Sequence, residues 1–482
     1  MKHLLKSKLW DKVIAIPMRF RTHPVRTTFY GVFVLAIAYV LLVILPYIGR
    51  VYVSDYTRNS FSINNFFGEH QTPERVMLLE DPQESFFHRV NLISMANQQI
   101  AIATYVFSQG DSGDIIVGAL LSAAERGVEV YIIGDGFTGQ MPLAYRNILA
   151  SHENINLYMF SRLNLLQPRA INTVFHDKYM TVDNQFLILG GRNIGDRFFT
   201  PSGTDRRFVQ DREVLVYNND TTHTGIIAQV NEYFHSKRTS PYVTQIQSRG
   251  NNISEQKNHF ISLYENHQNS HNQNFDYLTN TVYTNKITLI ANPISTAKKE
   301  GLVAYNLLML TKNSNTIVAQ TPYIVLTNRN LAMLSNAAYD RDVTISTNSL
   351  ASTTNIPAFS NYHAIRRRLV SAGIHIYEYQ DTNSSLHGKT YIFDNRLVAI
   401  GSFNLNERSI RSDTESMLVI DSTAFAAITL TAIESHISNS LRVAQNNRYI
   451  PNPHVDEARV STVKRVLYAI VGHGMRPVRF LS

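Results

Sequence analysis

Two stretches decide how this chain is built: FHDKYMTVDNQFLILGGRN at 175–193 and LHGKTYIFDNRLVAIGSFN at 386–404. Laid over one another they match at His176 and His387, Lys178 and Lys389, and Asp183 and Asp394. The match continues through Gly190 and Gly401, Asn193 and Asn404, and finally Arg197 and Arg408. A single His-x-Lys-x4-Asp arises by chance often enough to mean little. Its duplication with the same later glycine, asparagine and arginine does not. A strand with surface His and Lys at period two would account for one face of one stretch and for none of the later matches.

Working outward, the same order of elements precedes each stretch. Helical spacing at 84–97 leads to a strand at 100–107, a helix at 114–126, and strands at 128–133 and 155–160. In the second half, helical spacing at 302–310 leads to a strand at 316–320, a helix at 328–339 and a strand at 343–347. A helix at 362–372, stopped by Gly373, and a strand at 374–379 complete the unit. An internal repeat of alternating helices and short apolar strands predicts an α/β fold. Two similar α-β-α sandwich halves, 73–239 and 286–458, are expected to pack about a pseudo-twofold axis. Between them, 240–285 is rich in Asn and Gln and reads as a surface linker or insertion.

Residues two apart on a strand face the same way, so His176 projects with Lys178 and His387 with Lys389. The apolar runs that follow suit buried strands, each ending in a tight turn at Gly190 or Gly401. If the halves converge, two ammonium groups and the amides of Asn193 and Asn404 can hold the nonbridging oxygens of a phosphodiester. One imidazole can attack phosphorus, and the other can protonate the leaving alcohol and deprotonate the incoming one. Asp211 and Glu415 are candidates to orient the imidazoles; ordinary salt-bridge acids are the alternative. The chain has no cysteine, which excludes disulfides, thiolate metal sites and a cysteine nucleophile.

Residues 1–28 carry Lys2, Lys6, Lys8, Lys12, Arg19, Arg21 and Arg26 against Asp11 alone, so most of the net charge of +8 lies there. The body is nearly balanced, which weighs against a nucleic-acid enzyme. Residues 29–48, FYGVFVLAIAYVLLVILPYI, contain no charge and are long enough for one transmembrane helix. The basic arm then places the N-terminus in the cytoplasm and the body on the other side. At 459–482, Val460, Val463, Val466, Leu467, Ile470 and Val471 recur at helical spacing beside basic residues. That pattern fits a helix lying on lipid or one docked on the core.

The paired motifs resemble those of the phospholipase D superfamily, and the likeness runs from about residue 73 to 442. Within it the chain is most similar to bacterial cardiolipin synthases, on GGRNIGDRFF (190–199), TNSLAST (347–353), IGSFNLNERS (400–409) and TES (414–416). The resemblance implies that His176, Lys178, Asp183, His387, Lys389 and Asp394 form the catalytic motifs, with His176 as nucleophile and His387 as general acid. Lys178, Lys389, Asn193 and Asn404 would bind phosphate, Asp183 and Asp394 would stabilise each motif from within, and Glu415, Asp211, Gly190 and Gly401 would support the site. It implies no metal and no other cofactor. The expected substrates are phospholipids of a membrane, phosphatidylglycerol with phosphatidylethanolamine as a further donor, and the product cardiolipin. Hydrolysis to phosphatidic acid is the near alternative, with nucleic-acid phosphodiesterase action and a non-enzymatic scaffold further off. The family often has a longer or a second N-terminal span, and this sequence has one.

Overall fold

The apolar runs of the two stretches become the buried centres of two sheets. The computed structural model describes residues 24–44, 50–139, 141–160, 166, 173–200, 207–220, 222–247, 253–271, 274–294 and 299–474. Strands Phe186–Gly190 and Leu397–Gly401 are buried at every position, as strands covered on both faces must be. Each pairs antiparallel with the strand that starts just after the paired lysine, Tyr179–Val182 or Thr390–Phe393.

The sheets repeat one another. The first runs Val282–Tyr283, Glu74–Leu79, Glu213–Asn218, Phe186–Gly190, Tyr179–Val182, Gln99–Thr104, Glu129–Asp135, Ile155–Phe160, Val243–Gln245. The second runs Lys286–Ala291, Ser416–Asp421, Leu397–Gly401, Thr390–Phe393, Thr316–Gln320, Asp342–Asn348, His375–Tyr379, Ser440–Arg442. Without its edge pair Val282–Tyr283, the first matches the second strand for strand, down to the three parallel strands joined by helices.

One apolar cluster fills the outer face of each sheet, under helices such as Asp111–Glu125 in the first half and Ile356–Ser371 in the second. A third joins the sheets. It sets Leu187, Leu189 and Val214 of one against Val398, Ile400 and Leu418 of the other, with helices Ile226–Arg238 and Thr423–Ser438 at its sides. The two halves therefore share a core.

The region between the halves, expected as a surface linker or insertion, contains a packed helix. Ile253–His271 is a helix, and Phe260, Ile261 and Tyr264 lie on the outer core of the first half. Gly118 allows the close approach, since a Cβ there would fall 2.0 Å from the Phe260 carbonyl oxygen. The polar run is the solvent side of this helix, and its three inward apolar residues are what composition averaging hides.

At the N-terminus, Pro24–Ile44 is a helix with Phe29, Phe33, Leu35 and Ile37 exposed. The expected span continues through 45–48, which lie outside the described residues, as does 1–23 of the basic arm. Among the described residues no helix is long and apolar enough to cross a membrane. At the other end, Thr462–Gly474 docks on Ile356–Ser371, where the Tyr468 hydroxyl meets His363 Nδ1 at 2.9 Å. Val463, Val466, Leu467 and Ile470 remain exposed on its outer side.

Candidate active site

The motif histidines sit on short segments that cross from one half to the other. Phe175, just ahead of His176, bridges in parallel to Thr414, just ahead of Glu415. Leu386, just ahead of His387, pairs in parallel with Gln210, just ahead of Asp211. The His176 N–H donates to Thr414 Oγ1 at 2.9 Å, and the His387 N–H donates to the Gln210 carbonyl at 2.6 Å. Each half thus presents its acid to the other half's histidine.

The side chains follow. His176 Nδ1 lies 3.0 Å from Glu415 Oε1, and His387 Nδ1 contacts Asp211 Oδ2. A carboxylate on Nδ1 fixes the ring and leaves Nε2 for chemistry. Lys178 donates from Nζ to the His176 carbonyl at 2.7 Å, and Lys389 Nζ contacts the His387 carbonyl and lies 2.8 Å from His387 Nδ1. Lys178 feels both Glu415 and Asp211, and so does Lys389. The two motifs therefore meet in one electrostatic cluster.

Burial dominates the titration of this cluster. It pushes Lys389 down to about 7 and Lys178 down to about 8, with the acids pulling the other way. It lowers His176 well below the ordinary imidazole value, helped by Lys178, and takes His387 to about 3, helped by Lys389. The acids diverge. Burial raises Glu415 to about 8 against the pull of Lys178. Asp211 is also raised by burial, but Lys389 and His387 together hold it at about 2. Both rings are thus neutral in the empty site near neutral pH, and only the acid behind His387 is firmly ionised.

A cavity of about 360 Å³ opens onto His387. Tyr105, Asn193, Arg197, Phe198 and Tyr323 line it, with Ser108, Thr138 and Ser385 adding hydroxyls. Tyr105 joins it to the first motif: its ring centroid is 5.3 Å from that of His176 and 5.4 Å from Lys178 Nζ. The Asn193 Oδ1 accepts the Val106 N–H at 3.2 Å, which orients the amide at the cavity wall. Asn404 is buried, and its Oδ1 has no hydrogen-bond partner among the described residues.

Comparison with known proteins gives the family and the fold. The family described as cardiolipin synthase, PLD-like domain, matches residues 90–238 and 307–437, together more than half of the chain. The chain belongs to the phospholipase D superfamily, close to the cardiolipin synthases. A cardiolipin synthase C of Escherichia coli is 26% identical over 393 residues, covering 73% of this chain and 82% of that protein. An uncharacterized protein of Helicobacter pylori is 27% identical over 412 residues, covering 77% and 81%. Among solved structures, the phosphatidylserine synthase of Haemophilus influenzae shares the fold, with a TM-score of 0.60 at 13% identity over 84% of this chain and 95% of that one.

In this phospholipase D family member, the expected His176, Lys178, His387 and Lys389 come together, with Glu415 and Asp211 behind the histidines. Asp183 and Asp394, counted with the catalytic motifs, stand apart from these groups and hold the stabilising place that the resemblance implies. Each lies past the far end of its strand at positive φ, 51° and 49°. Asp183 accepts the N–H groups of Asn97, Gln98 and Gln99, and Asp394 those of Asn315 and Thr316. They hold the motif strands to their neighbours, which is stabilisation of the fold.

Gly190 and Gly401 end their strands at bends without entering the positive-φ region, so the left-handed freedom of glycine is not used there. What they permit is close passage of the acid-bearing strands. A Cβ on Gly190 would sit 2.5 Å from the Arg212 carbonyl oxygen, and one on Gly401 2.2 Å from that of Ser416.

Sequence reasoning missed two ion pairs beside His176, one buried and one half-buried. Asp177 meets Lys237 at 3.2 Å, and Arg408 meets Asp413 at 3.2 Å. It also missed Tyr105 and Tyr323. Only the Arg197–Arg408 match carried a signal, and it is an unequal one: Arg197 lines the cavity, while its counterpart pairs with Asp413.

Proposed function

We propose that this chain is a phosphatidyltransferase that works through a phosphohistidine and makes cardiolipin from phosphatidylglycerol. The observation that carries the reading is the crosswise pairing of two histidines with two acids, beside two buried lysines. His176, neutral in the empty site, attacks the phosphorus of one phosphatidylglycerol through Nε2. The bond from phosphorus to the headgroup glycerol breaks, and Lys178 and Lys389 balance the charge on the nonbridging oxygens. An arriving anion favours proton uptake on His387 beside ionised Asp211, so His387 can give that proton to the departing glycerol. His387 then takes the proton of a hydroxyl on a second phosphatidylglycerol headgroup. That oxygen attacks phosphorus, the P–N bond breaks, and cardiolipin leaves with His176 restored. Phosphatidylethanolamine as donor would release ethanolamine instead of glycerol.

The same reading has the chain held in a membrane by residues 29–48, with its N-terminus cytoplasmic and its body on the opposite, periplasmic face. The exposed apolar side chains of Pro24–Ile44 and the basic arm support this. Because the chain lacks cysteine, single cysteines in the body and in the arm can be tested against a membrane-impermeant maleimide in intact cells.

The deciding assay is product formation by the purified chain and its His176→Ala variant. Vesicles carry phosphatidylglycerol with and without phosphatidylethanolamine. Cardiolipin from the unaltered chain alone is the expected result. Phosphatidic acid alone would replace the reading with hydrolysis, and no lipid turnover would end it.

A further inference from the structure

A second cavity, of about 560 Å³, lies in the second half between helices Leu302–Lys312 and Asn328–Ala338 and the sheet beneath them. Ile317 and Ile345 of the sheet line its depth, and Leu308 and Met333 its helical sides. It is several times the size of an apolar cavity that stays dry and takes up an aromatic ring, about 150 Å³. Aliphatic walls of this extent offer water few partners and suit a hydrocarbon chain.

The remaining lining is cationic. Arg50, Arg58, Lys312 and Arg329 are exposed and border the cavity, and no carboxylate lines it. Cations without a matching acid complement an anionic head above an apolar tail. Their location narrows the source. Val51 and Val53 line the cavity from the segment that follows the exposed apolar helix Pro24–Ile44. That segment is tied down at the cavity: the Gly301 N–H donates to the Tyr52 carbonyl at 3.1 Å, and the Ser54 N–H to Glu300 Oε1 at 2.6 Å. A bilayer covering the helix would therefore meet the protein here.

We infer that this cavity binds one acyl chain of an anionic phospholipid, whose head is held by Arg50, Arg58, Lys312 and Arg329. It is a site apart from the catalytic cavity. The inference takes the bilayer as the lipid's source and does not require the transferase chemistry. Phe403 and Leu405, which flank Asn404, also line this cavity. An occupant would bear on the segment that carries the second phosphate-binding asparagine, so the anionic lipid content of the membrane would influence turnover.

The test is photo-crosslinking of the full chain in dodecyl maltoside with a phosphatidylglycerol bearing a diazirine on one acyl chain. Label is expected in peptides covering 302–312 and 328–338, displaced by unlabelled phosphatidylglycerol but not by phosphatidylcholine or oleate. The Arg50→Glu/Arg329→Glu double variant, altered only at exposed positions, should lose about tenfold of that label while melting at the same temperature. Label confined to the catalytic cavity would overturn the inference. So would label at 302–312 that survives charge reversal, or that oleate or phosphatidylcholine displaces equally well. Crosslinking needs no turnover, so a labelled cavity in a protein that makes no cardiolipin would sink the transferase reading alone.

Discussion

Glu415 and His176 stand 239 residues apart and meet at 3.0 Å across the boundary between the halves. Asp211 and His387 repeat the contact in the opposite sense. Neither half holds a complete histidine–acid pair, so the shared core is a condition of catalysis as well as of stability. Glu415→Gln and Asp211→Asn preserve shape and remove the carboxylate. Each is expected to lower kcat by the order of 10²–10⁴-fold; Glu415→Gln should leave the melting temperature little changed, whereas Asp211→Asn should lower it by leaving Lys389 buried without its acid. If each acid acts through its partner, Glu415→Gln adds almost nothing to His176→Ala. Multiplicative losses in that double variant would show that Glu415 acts by another route.

The buried lysines set a pH dependence. A phosphodiester monoanion binds the site when Lys389 and Lys178 are charged. In the empty site burial brings them down to about 7 and about 8. With His387 replaced by Ala, which removes the ring that an arriving anion would protonate, the lysines are already charged below both values and affinity is flat. Above them, binding must recapture protons. The inhibition constant of dimethyl phosphate for this variant should therefore be level below pH ~7, rise about tenfold per pH unit above it, and steepen past pH ~8. Adding Lys389→Met should weaken binding at pH ~6 and erase the first rise. A constant that stays level to pH ~9 would mean the lysines keep their charge.

Much of this was legible in the sequence because the duplicated stretch encodes a strand pair and its lysine face directly. The sandwich halves follow from strand runs such as 186–190, buried on both sides and hence apolar throughout. The inward side of Ile253–His271 was not legible, because Phe260 and Tyr264 are diluted by polar neighbours. Nor was the crossing of acids between halves, which depends on two short parallel pairings that leave no periodic pattern. Asp183 and Asp394 belong to the same motif as the histidines, but a strand's length separates them from the site. Spacing along a chain does not report that.

That separation is testable. Asp183→Ala removes the acceptor for three backbone N–H groups and an aspartate from positive φ. It should cost about 1–2 kcal/mol of stability. Asp394→Ala, at an exposed turn with fewer partners, should cost about 1 kcal/mol or less. At a temperature where the variants are fully folded, kcat should stay within about threefold of the unaltered chain, against a near-total loss for His176→Ala. A loss in Asp183→Ala comparable to that of His176→Ala, with the fold intact, would return Asp183 to the reacting groups.

Gly401 links packing to chemistry. Its missing Cβ would lie 2.2 Å from the Ser416 carbonyl oxygen, directly after Glu415. Gly401→Ala must push the two strands apart, at a cost of about 1–3 kcal/mol. Because Glu415 is carried on that moving backbone, kcat should fall further than the loss of folded protein explains. Gly127→Ala is the comparison, since Gly127 has open space around its Cβ position but a φ of +90°. It should lose stability from strain and keep its kcat. Equal kcat losses in the two variants would remove the link between strand spacing and Glu415.

The assignment of roles to the two histidines can be decided by making one of them dispensable. The general acid is needed only when the leaving group is a poor one. With a phosphatidyl-p-nitrophenol substrate, departure requires no proton, so a variant lacking the acid can still form the covalent intermediate. Without the base, that intermediate cannot pass efficiently to an acceptor hydroxyl, so it accumulates. His387→Ala should therefore release a burst of p-nitrophenol close to one equivalent and leave a phosphatidyl adduct on the peptide containing His176. His176→Ala should release no burst. Neutral His176 and the firmly ionised Asp211 behind His387 favour this order. A burst and an adduct at His387 in the His176→Ala variant would reverse the roles. The near-symmetry of the two motifs makes that the informative alternative, because each ring has an acid from the other half on its Nδ1 and a lysine two residues on.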